Sequence, residues 1–196
     1  HGTHGGRQVD AYFYRGPALD LYVSSSVKTR VGIGTRDSVG MAVAGMINRQ
    51  PIETGDPELE RLAVYTLDPE WARPLLADPP AKAALLRLVA DESFFGLRSV
   101  SIQPGSALLR MRYVNWKKIT AEAARQWASD LIVVARTAEA LPAPAHTAEE
   151  SGLERATRLE RGTYSSRAML ITFAAFGLLS VCILVAVLIT VMLTTN

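Results

Sequence analysis

The strongest constraint on this chain lies at its C-terminal end. From Ala168 to Leu193 no side chain is charged, and the only polar ones are Thr172, Ser180 and Thr190. A helix rising about 1.5 Å per residue reaches roughly 39 Å over such a run, more than the ~30 Å hydrocarbon core of a bilayer. A helix at the edge of a protein core turns one face to water and is amphipathic, whereas this run is apolar on every side. Its length and C-terminal position also set it apart from a secretory signal. The sequence therefore predicts one transmembrane helix over 168–193, with a short tail, Thr194–Asn196, emerging beyond it.

Orientation follows from flanking charge. Arg155, Arg158, Arg161 and Arg167 precede the run, and Thr194, Thr195 and Asn196 after it carry no cation. Basic flanks stay on the cytoplasmic side. The N-terminal bulk is thus expected in the cytoplasm and the C-terminus on the periplasmic side of a bacterial inner membrane, cytoplasmic or intracytoplasmic. This orientation assumes no earlier span ahead of His1. The same four arginines are candidate contacts for anionic lipid headgroups, which attract each nearby cation by about 1 kcal/mol.

Ahead of the span, residues 1–141 suffice for one domain that buries its own core. The formal net charge is +2, from 21 Lys and Arg against 19 Asp and Glu, so nothing suggests a nucleic-acid surface. The sole cysteine, Cys182, lies in the apolar run, which excludes an intrachain disulfide and a cysteine metal cluster.

Alternation and punctuation organise this domain as α+β: an antiparallel sheet with packed helices. Arg7–Tyr14 places Val9, Ala11 and Phe13 on one face of a strand. Ala18–Gly34 continues with Leu19, Leu21 and Val23, a serine-rich interruption, then Val27, Val31 and Ile33; the short connections predict antiparallel neighbours. Ser38–Asn48 reads as a short buried helix or loop, and Leu59–Leu67 as a strand. Asp68 caps a helix opened by Pro69, interrupted at Pro74 and ending near Asp78; Pro80 opens a second. Two alternating runs, Arg98–Gln103 and Ala107–Val114, flank a Pro104-Gly105-Ser106 turn. Thr120 caps a helix to about Leu141 whose Ala124, Trp127, Ala128, Leu131, Val134, Ala135 and Ala138 share one face. Pro142–Ala145 reads as a stiff extended linker, and Thr147 with Glu150 as a capping box starting an amphipathic juxtamembrane helix, so that 142–167 connects domain to span.

The segments "GTHGGRQVDAYFY", "TGDPELER", "DPEWARPLL" and "AKAALLRLV" resemble an uncharacterised group of bacterial membrane-associated α+β domains, over most of residues 1–140. The shared pattern consists of turns, caps and apolar stripes. It implies a fold and membrane association, and no activity.

Motifs for chemistry are sparse. His1 and His4 have a spacing compatible with a metal, but His146 lies in the linker and no cysteine is nearby, so a flexible or trimmed N-terminus is the expectation. Val31–Thr35 lacks the spacing and lysine of a phosphate-binding loop. Asp56, Glu58, Glu60 and Glu70 read as turn, edge and cap residues, and no Ser-His-Asp or Cys-His set is legible. Arg110–Lys118 mixes basic and aromatic side chains that could stack on nucleic acid; it is read here as a half-exposed edge strand leading into a helix, with a face towards lipid headgroups or a partner protein as a middle reading. Within the apolar run, Ala168, Thr172, Ala175, Cys182, Ala186 and Thr190 recur at helical spacing, a candidate seam for packing against another membrane helix. The expectation is a non-catalytic, single-span accessory subunit of a larger bacterial membrane complex, of the energy-converting kind (photosynthetic or respiratory), without cofactor. Its partners would be other membrane subunits and an anionic bilayer, with no nucleic acid. The alternatives are a stand-alone membrane-tethered enzyme or ligand-binding domain, and a regulatory tether that recruits a soluble partner.

Overall fold

The computed structural model describes residues 1–14, 16–35, 51–90, 96–115, 117, 119–151 and 154. The segment Ser38–Asn48, most of the juxtamembrane stretch and the whole apolar run fall outside the described residues, and with them the expected span. Among the described residues no helix is long and apolar enough to cross a membrane.

Residues His1–Glu150 form one α+β unit. Its strands are β1 (Gly2–His4), β2 (Arg7–Tyr14), β3 (Ala18–Ser24), β4 (Val31–Thr35), β5 (Leu62–Thr66), β6 (Leu97–Gln103) and β7 (Ser106–Arg112). They make one sheet in the order β1-β2-β3-β7-β6-β4-β5, antiparallel at every junction. Turn chemistry sets two of the hairpins. Gly5 and Gly6, at φ 53° and 78°, supply the two left-handed residues of a tight turn closing His4 on Arg7. Pro104 and Gly105, the latter at φ 86°, close Gln103 on Ser106.

One expected pairing is corrected. β3 and β4 are consecutive, yet they are not neighbours: β3 pairs with β7, and β4 with β6. The serine-rich stretch between them passes over the β6–β7 turn, with Ser25 N donating to Gly105 O at 3.1 Å and Gly105 N to Val27 O at 3.4 Å. Those bonds carry the chain past two strands, so β6 and β7 enter the middle of the sheet. Arg110–Arg112 therefore belong to a central strand, not to the expected edge. Both β3 and β7 are buried on both faces, Leu21 and Leu109 on one and Tyr22 and Leu108 on the other.

The helices α1 (Pro69–Ala77), α2 (Pro79–Ala90) and α3 (Ala121–Ala140) cover one face. α3 lies over β3 and β7, α2 over β4 and β6, and α1 packs on the other two helices. The alternating residues Leu21, Val23, Ile33, Val100, Ile102, Leu109 and Met111 meet Leu85, Leu88, Leu131 and Val134 in a single core. The Asp68 carboxylate accepts from Trp71 N at 3.2 Å and Thr120 Oγ1 from Ala123 N at 3.1 Å, so both predicted caps are in place. The expected interruption at Pro74 does not occur: α1 runs through it to Ala77. Pro74 and Glu70, whose carbonyl loses its partner to the proline, both lie on the exposed side, where water replaces that bond. Asp78 ends α1 and starts α2, its Oδ2 accepting from Ala81 N at 3.0 Å.

The stretch after α3 is extended, but it is fastened to the domain. Trp71 Nε1 donates to Pro142 O at 2.9 Å, Ala145 N to Asp68 Oδ2 at 2.7 Å, and Ala148 N to Lys28 O at 2.8 Å. Thr29 Oγ1 donates to His146 O at 3.2 Å and an Arg30 guanidinium N–H to Glu149 O at 3.0 Å. This strap holds Thr147–Glu150 out of helical conformation, and the capping box expected there is not formed. It is made further on: Glu154 N donates to Ser151 Oγ at 3.2 Å and Ser151 N to Glu154 Oε2 at 2.7 Å.

Candidate interaction surface

Where β2 ends, β3 begins and β7 ends, the sheet presents its exposed aromatic side chains. Phe13, Tyr14 and Tyr113 are 60%, 44% and 62% exposed. Register brings them together: Tyr14 pairs with Ala18, Ala18 with Arg112, and Val114 N donates to Pro17 O at 2.8 Å. Alternation puts Phe13 on the helix-bearing face, but the helices do not cover it. Tyr14 and Arg112 share the other face, with the Arg112 guanidinium carbon 5.9 Å from the Tyr14 ring centroid.

Tyr113 has a backbone that its residue type disfavours. At φ 59° it is in the left-handed region, where a Cβ crowds the following carbonyl. Beside it Gly96, at φ 135°, has the carbonyl oxygen of Arg112 2.6 Å from where a Cβ would stand. The chain leaving β7 presses on Gly96 and then turns sharply, so that Val114 enters the core while Tyr113 swings into solvent. Beyond it Lys117 is exposed, its backbone N–H held by Asn115 Oδ1 at 3.1 Å.

Beneath this surface, buried Asp20 accepts from Arg112 at 2.6 Å and faces Arg110 Nε at 3.7 Å. One carboxylate between two guanidinium groups leaves the cluster net positive. Along β2, Tyr12 meets Tyr22 edge-on at 5.8 Å and His1 at 5.9 Å.

The two N-terminal histidines are engaged separately. His1 Nδ1 is 2.6 Å from Asp10 Oδ1, while His4 Nε2 is 2.8 Å from Ser129 Oγ on α3. They do not converge, and Gly2–His4 is a paired strand where a flexible end was one expectation. Among the described residues no group of three His, Cys, Asp or Glu stands close enough to hold a metal ion. The His4–Ser129 contact was not legible in the sequence, because its partners are 125 residues apart. Ser129 sits within α3 and the contact ties β1 to that helix.

Other charged residues are tied into the fold. Arg7 grips the Glu139 carboxylate through both guanidinium nitrogens, one at 3.0 Å, and Ser26 N donates to the same carboxylate at 2.8 Å. The Arg7 hydrogen bonds, outweighing partial burial, bring the Glu139 carboxyl down to about 2. Burial pushes the Asp68 carboxyl up, yet the N–H groups of Trp71, Ala145 and His146 overcome it and leave the group below its ordinary value. Lys82 bridges Asp56 at 2.8 Å and Glu58 at 2.7 Å, which lowers the Asp56 carboxyl and raises the lysine. These acids are thus the turn residues that the sequence suggested. The seam candidates Ala168, Thr172, Ala175, Cys182, Ala186 and Thr190 and the headgroup candidates Arg155, Arg158, Arg161 and Arg167 all lie outside the described residues.

No family model matches this chain. No curated protein matches it either. Among solved structures, a similar one is the crystal structure of the mycobacterial trehalose monomycolate transport factor A, at 11% identity and a TM-score of 0.47. That likeness covers 74% of this chain and 73% of the other.

Proposed function

We propose that this chain is a non-catalytic, single-span accessory subunit of a bacterial membrane complex, its folded domain held on the cytoplasmic side by the C-terminal helix. The observation that carries this reading is the uncharged run Ala168–Leu193 directly behind Arg155, Arg158, Arg161 and Arg167. The strap supports it. Residues 142–149 are bonded to α1, to its cap Asp68 and to Lys28–Arg30 just ahead of β4, so the chain leaves the domain from a fixed point, as a brace needs. The seam Ala168, Thr172, Ala175, Cys182, Ala186 and Thr190 would let a neighbouring helix approach closely, since in lipid close packing of small residues is a main source of helix association.

The test is co-purification from the native membrane after replacing Ala175 and Ala186 by Leu. Loss of the neighbouring subunits with the chain still in the membrane is the expected result. Unchanged co-purification would remove the seam from this reading.

A further inference from the structure

We propose that the aromatic end of the sheet, Phe13, Tyr14, Tyr113 and Lys117, is a docking surface for anionic lipid headgroups, so that the folded domain itself rests on the membrane. This rests on the membrane-anchored reading above and adds to it a second, peripheral contact made by the globular part.

Three observations point to a lipid surface. The first is chemistry. Tyr and Phe beside Arg and Lys are the side chains that settle at the membrane–water interface, rings at headgroup level and cations on phosphates. The second is charge: neither Ala11–Leu19 nor Ala107–Ile119 contains an acidic residue, while Arg110, Arg112 and Lys117 lie in the latter. The acids that flank Ala11–Leu19 are both engaged: Asp10 by His1 at 2.6 Å, and buried Asp20 by Arg112. The third is strain. Tyr113 has a left-handed backbone that glycine would adopt freely, and it turns its ring into water. The folded domain gains nothing evident from a tyrosine there, whereas a membrane gains an anchor.

Reach is sufficient. Ser151 to Arg167, 17 residues, separates the strapped domain from the apolar run; that length is about 26 Å as a helix and at most roughly 58 Å fully extended, so the domain stays near the surface either way. A domain held that close meets the surface at high effective concentration, and a patch of modest intrinsic affinity then suffices.

The test uses the full chain with Cys182→Ala and a single thiol placed at exposed Ala11, on the same strand face as Phe13, or at exposed Ala83 on α2 as a control. Each is labelled with a polarity-sensitive fluorophore and mixed with vesicles of phosphatidylcholine, with or without phosphatidylglycerol. The label at position 11 is expected to shift to the blue and resist aqueous quencher only on anionic vesicles. Tyr113→Gly and Lys117→Glu should each weaken that response several-fold, and high salt should reduce it. Tyr113→Gly should do so with an unchanged or higher melting temperature, which separates docking from folding. A label at position 11 that stays water-exposed on anionic vesicles, or a response that Tyr113→Gly and Lys117→Glu leave unchanged, would overturn the proposal. So would quencher protection at position 11 that is equal on neutral and anionic vesicles, since it would not need anionic headgroups. Alkaline carbonate extraction of the same vesicles reads insertion of the span separately. A chain that washes off yet shows the position-11 response contradicts the anchor and keeps the patch.

Discussion

The Asp68 carboxylate caps helix α1 with one oxygen and, with the other, accepts the backbone N–H of Ala145 at 2.7 Å. One side chain thus fixes both a helix start and the path by which the chain leaves the domain. Asn at position 68 keeps an oxygen for the cap, but its amide nitrogen then faces the donors Ala145 N and His146 N. Asp68→Asn should therefore free the strap while sparing the helix. The measurement is amide exchange, with Ala145 and His146 losing protection and α1 retaining it. Asp68→Ala should lose both, at about 1–2 kcal/mol of stability.

The Arg7–Glu139 pair sets an acid limit on stability. Glu139 has a folded value of about 2 against an ordinary 4.5. Because the folded value is depressed, the contribution is complete above pH 4.5 and is lost as the pH falls from there towards 2. A shift of that size corresponds to about 3 kcal/mol. Denaturant unfolding across this range should show wild type losing stability that Glu139→Gln, already weaker at neutral pH, no longer has to lose.

Gly96 and Tyr113 should respond in opposite directions. A Cβ at Gly96 would lie 2.6 Å from the Arg112 carbonyl oxygen, and its φ of 135° is closed to other residues, so Gly96→Ala should destabilise by roughly 2–4 kcal/mol. Tyr113→Gly removes the left-handed penalty and should be neutral or stabilising by about 1 kcal/mol. Thermal melts of the two variants decide this.

Asp130 is 2% exposed and is gripped by Arg87, with a guanidinium N–H at 2.7 Å. Removing Arg87 alone leaves the buried carboxylate without its counter-charge and, among the described residues, with only the Gln126 amide, at 3.2 Å, to hydrogen-bond it, so Arg87→Ala should lose about 2–4 kcal/mol. The double variant with Asp130→Ala should recover part of that loss, as a double-mutant cycle would show.

Local signals were legible and long-range ones were not. Strand β2, the caps Asp68 and Thr120, and the Pro104-Gly105 hairpin follow from alternation, side-chain hydrogen bonding and turn geometry, all of which act within a few residues. The separation of β3 from β4 depends on bonds from Ser25 and Val27 to Gly105, far along the chain. Ala107–Val114 reads as alternating, but its opening Ala107-Leu108-Leu109 is continuously apolar, which suits a strand buried on both faces and is the clue that reading passes over. The capping box at Thr147 had the right spacing, but the strap claims Ala148 for Lys28, and Ser151 with Glu154 takes its place. Of the candidate surface, the basic-aromatic stretch was visible in sequence. Its juxtaposition with Phe13 and Tyr14 needed the β3–β7 register.

The most direct measurement is the size of the particle carrying this chain after gentle detergent extraction of its native membrane. The chain should require detergent for release and should migrate with other membrane polypeptides in a particle much heavier than itself. Recovery as a water-soluble monomer without detergent would contradict the membrane-anchored accessory role.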